Sequence, residues 1–275
     1  MKIFPRHFLV ISAILLLSAC SDDSDESAPE QEAPELPQAA EQAHAASVLP
    51  KVDFWAPLLA GIAGTYDSEC EPVDVNVPGM QAIPPLPGPI VVMADGNVRS
   101  AGQSLNLRTQ IVSTLERRRQ AGQAVNLSMG TMTEKMMTFS LEQRDRRNWI
   151  MFGMPYSLKR CKIARPLPLS RQSLYTTYAK VLDANLQVEC ISAGGLKMDV
   201  HPYKLAKGIL DFEGRLVDLK DPSHEIVTIH ADAGFVYSAE LPDEEHLIIT
   251  LDAQGQLTQL FLTRKKSRAI VCSTK

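Results

Sequence analysis

Six of the ten methionines in this 275-residue chain fall between Met129 and Met154. Two pairs, Met129-x-x-Met132 and Met151-x-x-Met154, repeat a spacing that suits Cu(I), for which thioether sulfur is a soft ligand. The competing reading is packing, because methionine fills irregular gaps in β cores and Met137 and Met151 stand where core side chains are expected. Beyond His7 and His44, the histidines are His201, His224, His230 and His246. His224, His230 and Asp232 share the parity of one strand face. Six residues of strand nevertheless hold the two rings about 20 Å apart, too far to share a zinc ion. A solvent-facing strand surface is the reading we adopt, and we assign no metal and no cofactor.

For nucleophilic catalysis the chain has no Gly-x-Ser-x-Gly, and residues 51–165 contain no histidine to activate a serine. There is no Gly-rich phosphate loop and no Cys-x-x-Cys. The acids Asp243-Glu244-Glu245 follow Pro242 and read as a solvated turn. No catalytic residue is assigned. A hydrolase using a pair of carboxylates stays open as the alternative, since their separation in space is not written in a sequence.

The cysteines say more about organisation. After Cys20 come Cys70, Cys161, Cys190 and Cys272, an even number that reads as two disulfides in an oxidising compartment. Four cysteines allow three pairings, and an internal repeat selects one. With Cys70 set against Cys190, Phe54, Leu58 and Ile62 match Leu174, Tyr178 and Leu182. The four-residue spacing of each trio is one face of a short helix. Asp95-Gly96 after Ile90–Met93 is matched with Glu213-Gly214 after Ile209–Phe212, each a turn following an apolar strand. Ser140-Leu141-Glu142 before Cys161 is matched with Thr250-Leu251-Asp252 before Cys272. The expected bridges are therefore Cys70–Cys161 and Cys190–Cys272, each joining the first strand of a unit to its last. The fold class is α+β and β-dominated: two tandem units, 51–165 and 166–275, each a short helix plus an antiparallel sheet or partial barrel closed by a disulfide.

Local patterns fill in the elements. Met137–Glu142 alternates apolar and polar, and a charged turn leads to Trp149–Phe152; Leu247–Leu251 and Leu257–Leu262 flank a Gly-containing turn as the matching hairpin. Leu105–Gln120 suits a helix capped by Gly122, yet its counterpart Glu225–Ile229 reads as strand. Pro78–Pro89 is a loop, and Ser170 or Ser173 caps the second helix.

At the N-terminus, Lys2 and Arg6 precede an apolar run from Phe8 that closes on Leu17-Ser18-Ala19-Cys20. A basic start, a dozen apolar residues and small residues at the cut make a secretory signal, and the run is too short for a membrane span of about 20 residues. The closing tetrapeptide resembles the lipobox of bacterial lipoproteins. That resemblance covers about twenty residues. It implies removal of residues 1–19, lipidation of Cys20, and attachment to a membrane of the cell envelope. Ser21 in place of aspartate is similar to enterobacterial lipoproteins sent to the outer membrane, which implies a location facing the periplasm.

Residues 20–50 then form a tether. Ser21–Pro50 holds eight acids and no Lys or Arg, and such a stretch buries too little apolar surface to offset its conformational entropy. Of the chain's 28 basic and 32 acidic residues, setting aside Lys2, Arg6 and the eight tether acids leaves 26 against 24. This near-neutral balance is unlike that of a nucleic-acid binder. The basic clusters at Arg117–Arg119, Arg144–Arg147 and Arg264–Arg268 read as turn and surface residues. The expected function is non-catalytic: a binding or interaction module on a lipid anchor, taking an envelope protein or a small apolar ligand. Tyr66, Trp55, Trp149, Phe152, Tyr156, Tyr175 and Tyr178 are candidates to line its surface.

Overall fold

The computed structural model describes residues 50–275 apart from 74–86, 111, 120–124, 133–136, 145–146, 193–197, 232–233, 265–266 and 275. The leader, Cys20, the tether to residue 49, most of the Pro78–Pro89 loop, Gly122 and Asp232 lie outside these residues. The described part is one compact unit.

Helix α1, Trp55–Ile62, begins where Asp53 Oδ1 accepts the Trp55 and Ala56 N–H groups at 3.1 and 3.2 Å. It buries Trp55, Leu58, Leu59 and Ile62. Strands β1 (Gly64–Tyr66) and β2 (Ser68–Val73) follow, parted only by Asp67, and then β3 (Ile90–Val92), β4 (Asn97–Ser100) and β5 (Gln103–Asn106). A meander completes the first half: β6 (Val112–Arg119), β7 (Val125–Met132), β8 (Thr138–Arg144), β9 (Arg147–Met154) and β10 (Ser157–Lys162). Helix α2, Leu174–Leu182, opens the second half, with Ser173 Oγ accepting the Thr176 N–H at 3.1 Å. It leads to β11 (Ala184–Ser192), β12 (Met198–Ala206), β13 (Ile209–Phe212) and β14 (Arg215–Asp218). The second meander is β15 (His224–His230), β16 (Gly234–Leu241), β17 (Glu245–Leu251), β18 (Leu257–Arg264) and β19 (Ser267–Ser273).

One antiparallel sheet runs β14-β13-β12-β11-β19-β18-β17-β16-β15-β6-β7-β8-β9-β10-β2, and a second runs β1-β3-β4-β5. With β1 and β2 counted as one strand broken at Asp67, the order outward from the centre is the same in both halves. The centre is the antiparallel ladder between β6 and β15, from Val112↔His230 to Arg118↔His224. Cys70 on β2 is bonded to Cys161 on β10, and Cys190 on β11 to Cys272 on β19. Each bridge ties the strand after a helix to the strand that closes its meander, the pairing that the matched cysteine frames led us to expect.

Strand alternation places one face of the sheet in the core. On β15, Glu225, Val227 and Ile229 point inward while His224, Ile226, Thr228 and His230 are half-buried on the other face. Both helices pack into a single core that includes residues of both halves. Phe54, just before α1, stacks on Phe235 of β16 with ring centroids 5.1 Å apart, and Tyr178 of α2 lies 4.7 Å from the same ring. The Val52 N–H donates to Ala253 O at 2.9 Å. Gly61 of α1 meets Leu169 so closely that an added Cβ would sit 2.3 Å from Leu169 Cγ. The segment leading into the first half's helix thus docks on the second half, and the helix itself meets the turn that precedes α2.

Three local readings change. Leu105–Gln120 is not a helix: among its described residues, the ends of β5 and β6 flank a single 3-10 turn at Leu107–Thr109. The β6 stretch is strand because its neighbours β7 and β15 pair its backbone on both sides, and its residues alternate in burial because successive strand side chains point to opposite faces. The turn that corresponds in position to Glu213-Gly214 is Ala101-Gly102, not Asp95-Gly96. Both pairs join the last two strands of their four-strand runs, and both have two positive φ values (50° and 79°; 50° and 72°). That is the primed hairpin geometry, which an acidic-Gly letter match does not identify. Finally, Met151 is half-buried on the face of β9 opposite the buried Ile150 and Phe152, so it is not a core residue.

Candidate functional site

The first place to look for chemistry is the central seam, where a buried acid meets a buried base. Glu225 is fully buried and Arg117 3% exposed. They face each other across β6 and β15, with Arg117 Nη1 donating to Glu225 Oε2 at 2.9 Å. The same oxygen accepts the Leu174 N–H at 3.1 Å, while Oε1 accepts the Tyr175 N–H and the Tyr237 hydroxyl, each at 3.0 Å. Glu225 therefore caps α2, answering two of the free N–H groups that a helix leaves at its start. Burial pushes its carboxyl above the usual range, against the opposing pull of the helix N–H groups, Arg117 and Tyr237. Four donors fill the carboxylate, and no solvent reaches it. The arrangement holds α2, β6, β15 and β16 together and presents no free lone pair to a substrate.

The other sequence candidates separate. Met129 is buried in the core, Met151 is on the opposite face, and the Met132 side chain is outside the described residues. Met154 accepts the Tyr156 hydroxyl at 2.7 Å. Facing opposite ways, Met129 and Met151 share no site. His224 sits between Glu116 and Glu240, each 3.0 Å from a different ring nitrogen. Among the described residues no three His, Cys, Asp or Glu side chains converge as a metal would require. In the basic cluster at Arg117–Arg119, Arg118 and Arg119 are surface residues as expected, pairing with Glu116 at 3.3 Å and with Asp221, whereas Arg117 is buried. Arg144 pairs with Glu142 at 3.0 Å. Of the aromatic candidates, Trp55, Tyr66, Phe152, Tyr175 and Tyr178 are core residues. Trp149 is half-buried beneath the Arg160 guanidinium, 4.8 Å above the ring.

A cavity of about 420 Å³ opens beside the end of α2, between the start of β11 and the β17–β18 turn. Its lining mixes half-buried Leu186 with Asp183, Gln187, Gln256 and Thr274, over the buried Leu182, Leu251, Leu257 and Tyr203 of β12. The turn side is fixed by the Val52–Ala253 hydrogen bond and by Val52 packed on Gly255. Asp183 is the charged residue in the lining; it accepts the Tyr175 hydroxyl and, at 3.4 Å, the Lys207 N–H. Tyr203 is 1% exposed, and its hydroxyl has no hydrogen-bond partner among the described residues. Burial pushes that hydroxyl's pKa upward, with Tyr175 and Asp183 adding to the shift, so it stays a proton donor. Buried tyrosine hydroxyls ordinarily find a partner. Sequence reasoning missed Tyr203 because it stands between Pro202 and Lys204 with no motif around it; only its inward parity on a strand marks it.

Compared with protein-family models, curated proteins and solved structures, the chain matches none of them.

Proposed function

We propose that this is a lipid-anchored protein of the bacterial cell envelope, attached through Cys20, whose folded part is a non-catalytic binding module. Its two halves are copies of one unit, a short helix with an antiparallel, partly barrel-like sheet, covering 51–165 and 166–275. The common strand order supports the duplication. So does the seam, where the same strand of each half meets its counterpart antiparallel, as a local two-fold axis requires.

The observation that carries the binding reading is the cavity beside α2, whose lining mixes Leu186 with Asp183, Gln187, Gln256 and Thr274. Its volume falls within the range of about 300–1,000 Å³ usual for small-ligand sites. The hydrolase alternative has less support, because the best-buried acid, Glu225, is saturated by donors.

Two experiments test the reading. Palmitate label should enter the wild-type chain and not the Cys20→Ser variant, which should leave the membrane fraction. The mature Cys20→Ser chain, exported behind an ordinary secretory leader, is then incubated with envelope lipid extract and with cell-wall sacculi. Retention of an unmodified envelope molecule supports a binding module; turnover of either material contradicts it.

A further inference from the structure

The two disulfides occupy matching places in the two halves, yet their surroundings differ. Cys190 and Cys272 are 4% and 1% exposed and stand directly opposite each other in an unbroken register, Glu189↔Ser273, Cys190↔Cys272 and Ile191↔Val271. Both of their strands have neighbours on each side: β11 lies between β12 and β19, and β19 between β11 and β18. Cys161 is fully buried, but its partner Cys70 on β2 is only half-buried. Among the described strands, β2 ends the sheet order and pairs with β10 alone. The register slips there. Arg160 faces Glu71 and Lys162 faces Ser68, so Glu69 and Cys70 together oppose Cys161, which is a β-bulge. Glu69 takes up the extra residue with a φ of 45°, in the left-handed region that a side chain disfavours. Apart from the bridge, β2 is held by a short ladder and by the Glu71–Arg160 and Glu69–Lys162 ion pairs, both 2.6 Å and both exposed. Exposed pairs of this kind contribute little.

We propose that Cys70–Cys161 is a redox latch, opened by a dithiol, while Cys190–Cys272 is a permanent staple. A thiolate of the dithiol attacks Cys70 Sγ, the half-buried end of the bridge. A new S–S bond forms as the Cys70–Cys161 bond breaks, and the electron pair leaves on Cys161 Sγ, which takes up a proton. The second thiol of the dithiol then attacks the sulfur bonded to Cys70 and expels Cys70 as a thiolate, which is protonated in turn. Two electrons and two protons have then passed to the protein: the dithiol ends as a disulfide, and Cys70 and Cys161 end as thiols. With the crosslink gone, β2 keeps only its ladder and two surface ion pairs, so it frays from β10 while β11 and β19 stay locked. The sheet opens at one end, and β10 becomes its edge.

The test uses the mature Cys20→Ser chain, which carries no cysteine outside the two bridges. It is incubated under native conditions with dithiothreitol, quenched at intervals with N-ethylmaleimide and digested without further reduction. The Cys70–Cys161 bridge is expected to open at least about ten-fold faster than Cys190–Cys272. Hydrogen exchange of the selectively reduced protein should accelerate in β2 and β10, with β11 and β19 unchanged. Global unfolding exposes both bridges at once. Equal rates, earlier loss of Cys190–Cys272, or resistance of both bridges until the protein unfolds would therefore overturn the assignment. Selective reduction without faster exchange in β2 would overturn it as well, because the bridge would then release nothing.

Discussion

Arg117 and Glu225 lie directly opposite each other on the two strands that join the halves of the sheet, and they form a buried ion pair at 2.9 Å. Around them the core, two helices and two meanders become one body. This seam makes the most direct stability predictions.

Arg117→Met should cost about 3–5 kcal/mol at neutral pH, because it leaves Glu225 buried without its countercharge. The cost should shrink with acid. A carboxyl whose folded pKa is raised above 4.5 contributes stability that is full below 4.5 and lost as pH rises through the folded value. Denaturant unfolding of both proteins at neutral pH and near 4.5 measures this. A cost that is unchanged between the two pH values would show that Glu225 is held ionised rather than pushed upward.

Five buried tyrosines should resist ionisation together. Burial pushes Tyr66 and Tyr175 up to about 12, and Tyr178, Tyr203 and Tyr237 higher still. Their share of stability is full below pH 10 and is lost as the pH rises through about 12 and beyond. Phenolate absorbance of the folded chain should therefore stay low past pH 10 and rise together with loss of the fold. A smooth titration near 10 for these five, with the fold intact, would contradict the burial.

Either disulfide, removed as a Cys→Ser pair, should cost about 4–5 kcal/mol in the chain-entropy model, since the bridges span 91 and 82 residues. Thermal melts with and without reductant read the effect. A loss below about 1 kcal/mol would mean that the denatured chain is already compact around these strands.

Gly61→Ala should destabilise by about 1–3 kcal/mol through overpacking, because its Cβ has no room beside Leu169. The contact joins α1 to the segment leading into α2, so hydrogen exchange should speed up in both helices. Acceleration confined to α1 would argue against the interlock.

Much of this architecture is legible in residue letters, for stated physical reasons. The helical trios Phe54/Leu58/Ile62 and Leu174/Tyr178/Leu182 show themselves by spacing, and all six residues are buried. The disulfide pairing follows from setting the two cysteine frames side by side. What is not legible depends on partners distant in the chain. Glu225 looks like one more polar residue on an alternating strand until the start of α2, some fifty residues earlier, is seen to need it. Arg117 reads as part of a surface cluster because its partner lies 108 residues away. The Asp95-Gly96 match went astray because hairpin equivalence is set by φ, which Ala101 and Glu213 share despite their different side chains. Tyr203 is chemically notable only because its hydroxyl has no partner, and a sequence does not record that.

Tyr203→Phe should stabilise the ligand-free chain by about 1–2 kcal/mol, because it removes a buried donor that lacks an acceptor. Denaturant unfolding of both chains makes the comparison; a destabilising substitution would mean that the hydroxyl is already satisfied.

Native mass spectrometry of the mature Cys20→Ser chain, purified from the periplasm, with Leu186→Trp alongside it, bears most directly on whether the folded part binds. The expected spectrum shows a small-molecule passenger on the first protein and none on the second. Clean, identical monomers in both spectra, or a passenger untouched by Leu186→Trp, would contradict a ligand-binding cavity beside α2.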